Sequence, residues 1–183
     1  MKKIVLTVTL ILSFWLIYLP GQASNTFPFQ QNKSQITVVY LVRHAEKVTA
    51  NPNEQDPDLT SAGYARAQAL QKYLQNTPID GFLASPYKRT RLTLEPLAAG
   101  REISTYPAHG YAALKKLINE KYAGKTVIVA GHSNTLLDII ETLGAAKPVP
   151  AIADAKYDYI FKITLRPGKK AKVETATFGT PTS

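Results

Sequence analysis

Two short stretches of this 183-residue chain are rich in β-branched residues and apolar but for a single threonine each. Ile36–Val42 reads ITVVYLV and Thr126–Ala130 reads TVIVA. A strand with one wet face alternates apolar and polar residues, whereas a continuous β-branched run asks for cover on both faces. Such strands belong to parallel sheets with helices packed above and below. The residues between and around them agree. Thr60–Gln75 carries Ala62, Ala65, Ala69, Leu70, Tyr73 and Leu74 near helical spacing, with Asp58 or Thr60 to cap its start. Ile79–Ala84 reads as a second short strand closed by Ser85-Pro86, and a helix starts near Lys88 that Pro96 should end or kink. Ile103–Tyr106 is a third strand, and Tyr111–Tyr122 a basic helix stopped by Gly124. After TVIVA comes a helix from about Asn134 to Leu143, with Gly144 as its stop. Tyr159–Leu165 and Ala171–Phe178 flank Arg166-Pro167-Gly168-Lys169-Lys170 as a hairpin. This alternation predicts an α/β fold, a three-layer α/β/α sandwich with a mostly parallel sheet.

The chain opens differently. Met1-Lys2-Lys3 is basic, Ile4–Leu19 is apolar apart from Thr7, Thr9 and Ser13, and Gly21-Gln22-Ala23 supplies small residues. That order matches a secretory signal peptide over 1–23, cut after Ala23. The other reading is an uncleaved membrane anchor; once cut, the chain keeps no stable membrane span. Residues 24–35 read as a polar linker, 36–178 as the folded domain and 179–183 as a frayed tail. Removing 23 residues and two lysines from a 183-residue chain of formal charge +9 leaves 160 residues at +7. The expected location is therefore exported, periplasmic or secreted. The lysines are scattered, which fits a solvated basic surface and predicts no specific nucleic-acid partner. The chain has no cysteine, so disulfides, thiolate metal sites and a cysteine nucleophile are excluded.

In open α/β sheets ligands bind beyond the carboxyl ends of the strands. Three polar groups stand there: Arg43-His44 after the first strand, Ser85-Pro86-Tyr87-Lys88-Arg89 after the second, and Gly131-His132-Ser133-Asn134 after TVIVA. Two imidazoles beside two guanidiniums suit a tetrahedral dianion, because the arginine fork pairs with two phosphate oxygens. A helix beginning near Asn134 would add amide donors. A neutral imidazole nitrogen can attack phosphorus. Neighbouring cations keep it neutral by disfavouring imidazolium. Zinc is the rival use of His44, His109 and His132, but no two of them have helical metal-ligand spacing. No metal and no cofactor is expected.

The same residues carry a resemblance. Arg43-His44-Ala45 is similar to the RHG/RHA signature of the histidine phosphatase superfamily, whose fold is called phosphoglycerate mutase-like. Leu59-Thr60-Ser61-Ala62-Gly63 resembles its LTxxG segment, Ser85-Pro86-Tyr87-Lys88-Arg89-Thr90 its SPxxRT segment, and Gly131-His132 its late GH motif. The four motifs keep the family's order over about Thr37 to Leu165. The resemblance implies that His44 is the phosphorylated nucleophile. Arg43 and Arg89 would hold the phosphoryl group, His132 would complete the pocket, and Ser133 and Asn134 would lie beside it. The chain departs from the family where many members carry a glutamate proton donor. His109 and Glu46 are the two candidates here, with His109 the first choice. The expected activity is metal-independent hydrolysis of a phosphoester or phosphoanhydride on a small phosphorylated substrate. The alternative is a non-catalytic phosphoanion-binding protein of the same fold. Nothing in the pattern sets an oligomeric state.

Overall fold

In the computed structural model the described residues are 35–107 and 109–183. The segment read as a leader, and the linker up to residue 34, lie outside them. Six strands form one sheet: β1 (Thr37–Arg43), β2 (Gly81–Ala84), β3 (Ile103–Thr105), β4 (Thr126–Gly131), β5 (Tyr159–Leu165) and β6 (Lys172–Thr177), in the order β3-β2-β4-β1-β5-β6. β3, β2, β4 and β1 run parallel, and the β5–β6 hairpin joins antiparallel to β1. Helices α1 (Ser61–Leu74) and α2 (Lys88–Ala98) cover one face, and α3 (Tyr111–Lys121) and α4 (Leu136–Thr142) the other. This is the three-layer α/β/α sandwich that the apolar, β-branched strands require.

Side chains alternate across the sheet, so each face has its own core. Val39, Leu41, Val127, Val129, Phe161 and Ile163 pack with Leu114 and Ile118 of α3 and Leu136 and Ile140 of α4. Val42, Phe82, Ile128 and Ile160 pack with Leu70 and Leu74 of α1 and Leu94 and Leu97 of α2. Among the described residues no helix is long and apolar enough to cross a membrane.

The departures from the sequence reading are local, and they bear on the site. β1 extends one residue further, because Arg43 pairs with Gly131, the last residue of β4. β2 begins at Gly81 rather than Ile79, and a side chain at Gly81 would collide with the buried Tyr122 ring. Thr60 rather than Asp58 caps α1, its hydroxyl accepting from Gly63 N at 3.0 Å. Gly63 is needed there because a Cβ would strike the Glu46 carbonyl, so the glycine of LTxxG lets α1 close onto the chain leaving β1. α2 does not stop at Pro96. The missing N–H falls in its last turn, and the helix ends instead at Ala99 in the left-handed region (φ 50°). α4 begins at Leu136, two residues later than expected. The Thr135 and Leu136 N–H groups both turn back to the His132 carbonyl, at 2.9 and 3.1 Å, making a tight turn of 132–135. The 179–183 segment is not frayed: Thr182 bonds to Asp158, Lys156 and Tyr157.

Candidate active site

The strand register sets the site. Arg43 lies opposite Gly131 and Ala84 opposite Ala130, so β1, β4 and β2 end nearly level. The ladder continues one step past their ends. His44 N donates to Gly131 O at 2.9 Å and Ser85 N to Ala130 O at 3.3 Å. Three polar segments far apart in sequence are thereby held side by side over one edge of the sheet. They open into a cavity of about 490 Å³, a volume usual for small-molecule sites. Arg43, His44, Arg89, His109, His132, Ser133 and Asn134 all line it. Glu46 does not: its carboxylate is held by Arg66, with Nε to both oxygens at 2.9 and 3.0 Å and Nη2 at 2.7 Å. That pair ties the β1 exit to α1 and leaves no free oxygen aimed at substrate.

His44 is 4% exposed, and its two ring nitrogens are differentiated. Nδ1 lies 2.7 Å from the Ala45 carbonyl, which can only accept, so Nδ1 carries the hydrogen and Nε2 the lone pair. Ala45 is itself fixed, its N–H donating to Thr93 Oγ1 at 2.9 Å. Burial pushes His44 down to about 3, with His132, Arg43 and Arg89 adding to the effect against the pull of the Ala45 carbonyl. His132 packs edge-on to it, ring centres 5.2 Å apart. Burial, then Arg89 and Arg43, push His132 down to about 4, with smaller contributions from His109 and Lys47. Both rings are therefore uncharged at neutral pH. Ser85 Oγ holds His132 Nε2 at 2.8 Å and leaves Nδ1 as its free ring nitrogen among the described residues.

Each arginine lies over a tyrosine ring: Arg43 over Tyr157 at 4.1 Å and Arg89 over Tyr87 at 4.2 Å. Arg43 Nη1 donates to the carbonyls of Ala153, Asp154 and Lys156, at 3.1, 2.7 and 3.2 Å. Arg89 Nη1 meets Asp56 at 3.4 Å. The Nε of both arginines is buried without a partner among the described residues. Burial lowers both guanidinium values, but a guanidinium stays charged in proteins. Two guanidiniums, each with an unpartnered Nε, beside two neutral imidazoles make a cup for an anion with several oxygens.

Some contributors carry no signal in the sequence. Tyr157, Asp154 and the 153–156 carbonyls come from a proline-bounded loop more than a hundred residues from Arg43. Asp56 sits in an acidic loop that reads as solvated, yet both its oxygens accept from Lys88 N, at 2.9 and 3.0 Å, at the start of α2. Ser85 opens the Ser85–Thr90 segment, but only the fold shows it touching His132. Among the described residues no group of three His, Cys, Asp or Glu is placed to hold a metal ion.

The family model described as histidine phosphatase superfamily (branch 1) matches residues 39–115. It takes in the first two strand exits; the third, Gly131–Asn134, lies beyond it and joins them through the fold. No curated protein matches the chain. Among solved structures it is similar to the protein histidine phosphatase SixA complexed with tungstate: 20% identity and TM-score 0.62, covering 76% of this chain and 96% of that one. It is also similar to phosphoserine phosphatase of Entamoeba histolytica in complex with 3-phosphoglyceric acid (14% identity, TM-score 0.58, 79% and 98% covered). A mutant of that phosphatase in complex with phosphoserine gives 15% identity and TM-score 0.56, with 78% and 96% covered. At these identities the likeness is one of fold.

Proposed function

We propose that this chain, which belongs to the histidine phosphatase superfamily and is a phosphoric ester hydrolase, works without a metal through a phosphohistidine on His44. The observation that carries this reading is the state of His44. Its Nδ1 hydrogen is committed to Ala45 O, and burial keeps the ring unprotonated, so Nε2 offers a lone pair at neutral pH.

The reaction is two in-line displacements at phosphorus. The His44 Nε2 lone pair forms the N–P bond while the P–O bond to the leaving group breaks, and the leaving oxygen takes a proton. Water then attacks the phosphorus, the N–P bond breaks, and inorganic phosphate leaves with His44 neutral again. Arg43 and Arg89 bind the non-bridging oxygens and stabilise the charge spread over them, the task a metal ion performs elsewhere. His132, Ser133 and Asn134 line the same cavity, and the His132 Nδ1 left free by Ser85 would donate to the same oxygens. His109 lines the cavity and is solvent-exposed, which suits the donor that protonates the leaving oxygen and exchanges with water. Replacing it should slow alkyl phosphates more than aryl ones, because general acid help, about 10²–10⁴-fold, is needed most by poor leaving groups. Equal losses on both esters would remove His109 from that role.

The substrate is a small phosphorylated molecule by the size and charge of the cup. Export follows from the basic, apolar and small-residue order of residues 1–23, with Ala23 the last residue removed. Sequencing the amino terminus of protein recovered outside the cytoplasm tests that step.

The catalytic test is turnover of p-nitrophenyl phosphate in EDTA, beside His44→Ala, with the phosphorylated enzyme trapped by quenching in alkaline detergent and then split between acid and alkali treatment. Turnover indifferent to EDTA, lost in His44→Ala, with an acid-labile and alkali-stable phosphoenzyme, is the expected result. Phosphate binding with no turnover would return the non-catalytic phosphoanion-binding alternative. Loss of turnover on chelation would return a metal.

A further inference from the structure

The 179–183 segment comes back to the supports of the cavity. Thr182 Oγ1 accepts from the Tyr157 N–H at 2.9 Å and donates to Asp158 Oδ1 at 2.8 Å. The Thr182 N–H reaches Asp158 Oδ2 at 3.3 Å, and its carbonyl accepts from the Lys156 ammonium at 2.6 Å. One threonine is thus bonded to three consecutive residues. The Asp158 side chain is 3% exposed, and Lys156 meets it at 3.0 Å. Burial alone would raise this carboxyl, but the bonds from Lys156 and Thr182 hold it below its usual range. A buried carboxylate with all its partners placed is a stiff joint, because losing any partner leaves buried charge unmatched.

The loop held by this joint is the seat of Arg43. Lys156 O is one of the three carbonyls on Arg43 Nη1, and the Tyr157 ring lies 4.1 Å from the guanidinium carbon. Arg43 itself bonds to nothing in 179–183. With Nη1 committed to the loop, the directions of Nε and Nη2 follow from where the loop sits. We propose that Thr182 is a positioning residue for Arg43: its hydroxyl sets the 153–158 loop, and the loop aims the guanidinium at the phosphoryl oxygens. This rests on the reading that Arg43 binds the phosphoryl group. The hydroxyl is the part of Thr182 that matters, since it donates and accepts at once. Serine therefore substitutes for it and valine does not.

The experiment uses the full chain with Thr182→Val, Thr182→Ser, Arg43→Lys and the double variant Thr182→Val/Arg43→Lys. Inorganic phosphate binding is read by calorimetry, and kcat and KM with p-nitrophenyl phosphate beside it. Ile118→Val, a core change remote from the cavity, calibrates the effect of stability loss alone. Thr182→Val should bind phosphate about 5- to 10-fold more weakly, the scale of one ordinary hydrogen bond, because the guanidinium is misaimed and not removed. KM should rise by a similar factor and kcat fall less, with Thr182→Ser within about twofold of the parent. In the Arg43→Lys background Thr182→Val should cost almost nothing further, because the group it aims is gone. Unchanged phosphate affinity in Thr182→Val, losses that multiply independently in the double variant, or an equal loss in Ile118→Val would each overturn the proposal. The two readings fail separately. If the parent binds phosphate without turnover, the hydrolase reading falls, while the coupling of Thr182 to Arg43 is still read from binding.

Discussion

The two walls of the cavity hold their arginines in different ways. Arg43 ends β1, with Nη1 seated among three neutral carbonyls. Arg89 sits in the first turn of α2 and meets a carboxylate, Asp56, from the half-exposed 48–58 loop. Carbonyls orient a guanidinium without cancelling its charge. A carboxylate orients it and competes for it. On the proposed function Arg43 would accordingly be a fixed donor, and Arg89 an exchangeable one that an incoming phosphoryl group would take from Asp56. The tyrosines under the two guanidiniums are alike; the acceptors differ. Pre-organisation therefore sits on the β1 side and adaptability on the α2 side.

The largest expected effect strikes what both walls serve. His44→Ala should lower kcat with p-nitrophenyl phosphate by about 10³-fold or more, the scale of losing a nucleophile. Phosphate affinity should stay within a few-fold, because both arginines remain. Loss of phosphate binding in step with turnover would mean that the ring organises the cup rather than attacks.

Next comes the contrast itself. Lysine cannot fill the three-carbonyl seat and still point a fork at the ligand. Arg43→Lys should lower kcat/KM about 10²-fold, in the range for removing one pre-organised donor. Arg89→Lys should lower it about tenfold, because an ammonium on a flexible stem can also leave Asp56 for phosphate. Equal losses would erase the difference between the walls.

The same contrast separates what was legible in the sequence from what was not. β1 and β4 announce themselves as β-branched apolar runs, and the residues just past them are the ones a parallel sheet must place together. Arg43, His44 and His132 could be picked out on that ground, and Arg89 from the Ser85–Arg89 group after the shorter β2, with register bringing the three exits together. The Arg43 seat was illegible, since carbonyls of Ala153, Asp154 and Lys156 are backbone atoms and leave no trace in residue type. Glu46 misled because it stands two residues from His44. In an extended segment that spacing returns it to the same side, yet the Arg66 fork from α1 captures it. The frayed tail misled because Thr182 is anchored by a carboxylate, Asp158, whose burial depends on the packed fold.

Acidification should reveal the cost of keeping His44 neutral. A histidine held near 3 when folded and near 6.5 when unfolded binds its proton first in the unfolded chain. Stability is therefore full above about pH 6.5 and falls as pH drops toward the folded value, by up to about 1.4 kcal/mol per unit for this ring. His132, less enclosed, adds a smaller loss over the same window down to about 4. Between pH 6.5 and 4.5 the depressed carboxyl Asp158 stays ionised and contributes no slope. Urea midpoints should decline across that range, and less steeply in His44→Gln. Parallel curves for the two proteins would place the neutral-histidine cost elsewhere.

The smallest expected effect is the most telling about the α2 wall. Asp56→Asn keeps a side-chain oxygen for Lys88 N, so the start of α2 stays capped, and removes the charge that faces Arg89. The pair is partly exposed, the Asp56 side chain at 43%, so the stability change should stay under about 1 kcal/mol. If Asp56 competes for the guanidinium, its neutralisation should tighten phosphate binding by about two- to threefold at low salt. The gain should fade as ionic strength rises, since the competing charge is open to screening. A weaker phosphate complex in Asp56→Asn would show the opposite, that Asp56 orients Arg89 as firmly as the carbonyls orient Arg43, and the two walls would then work alike.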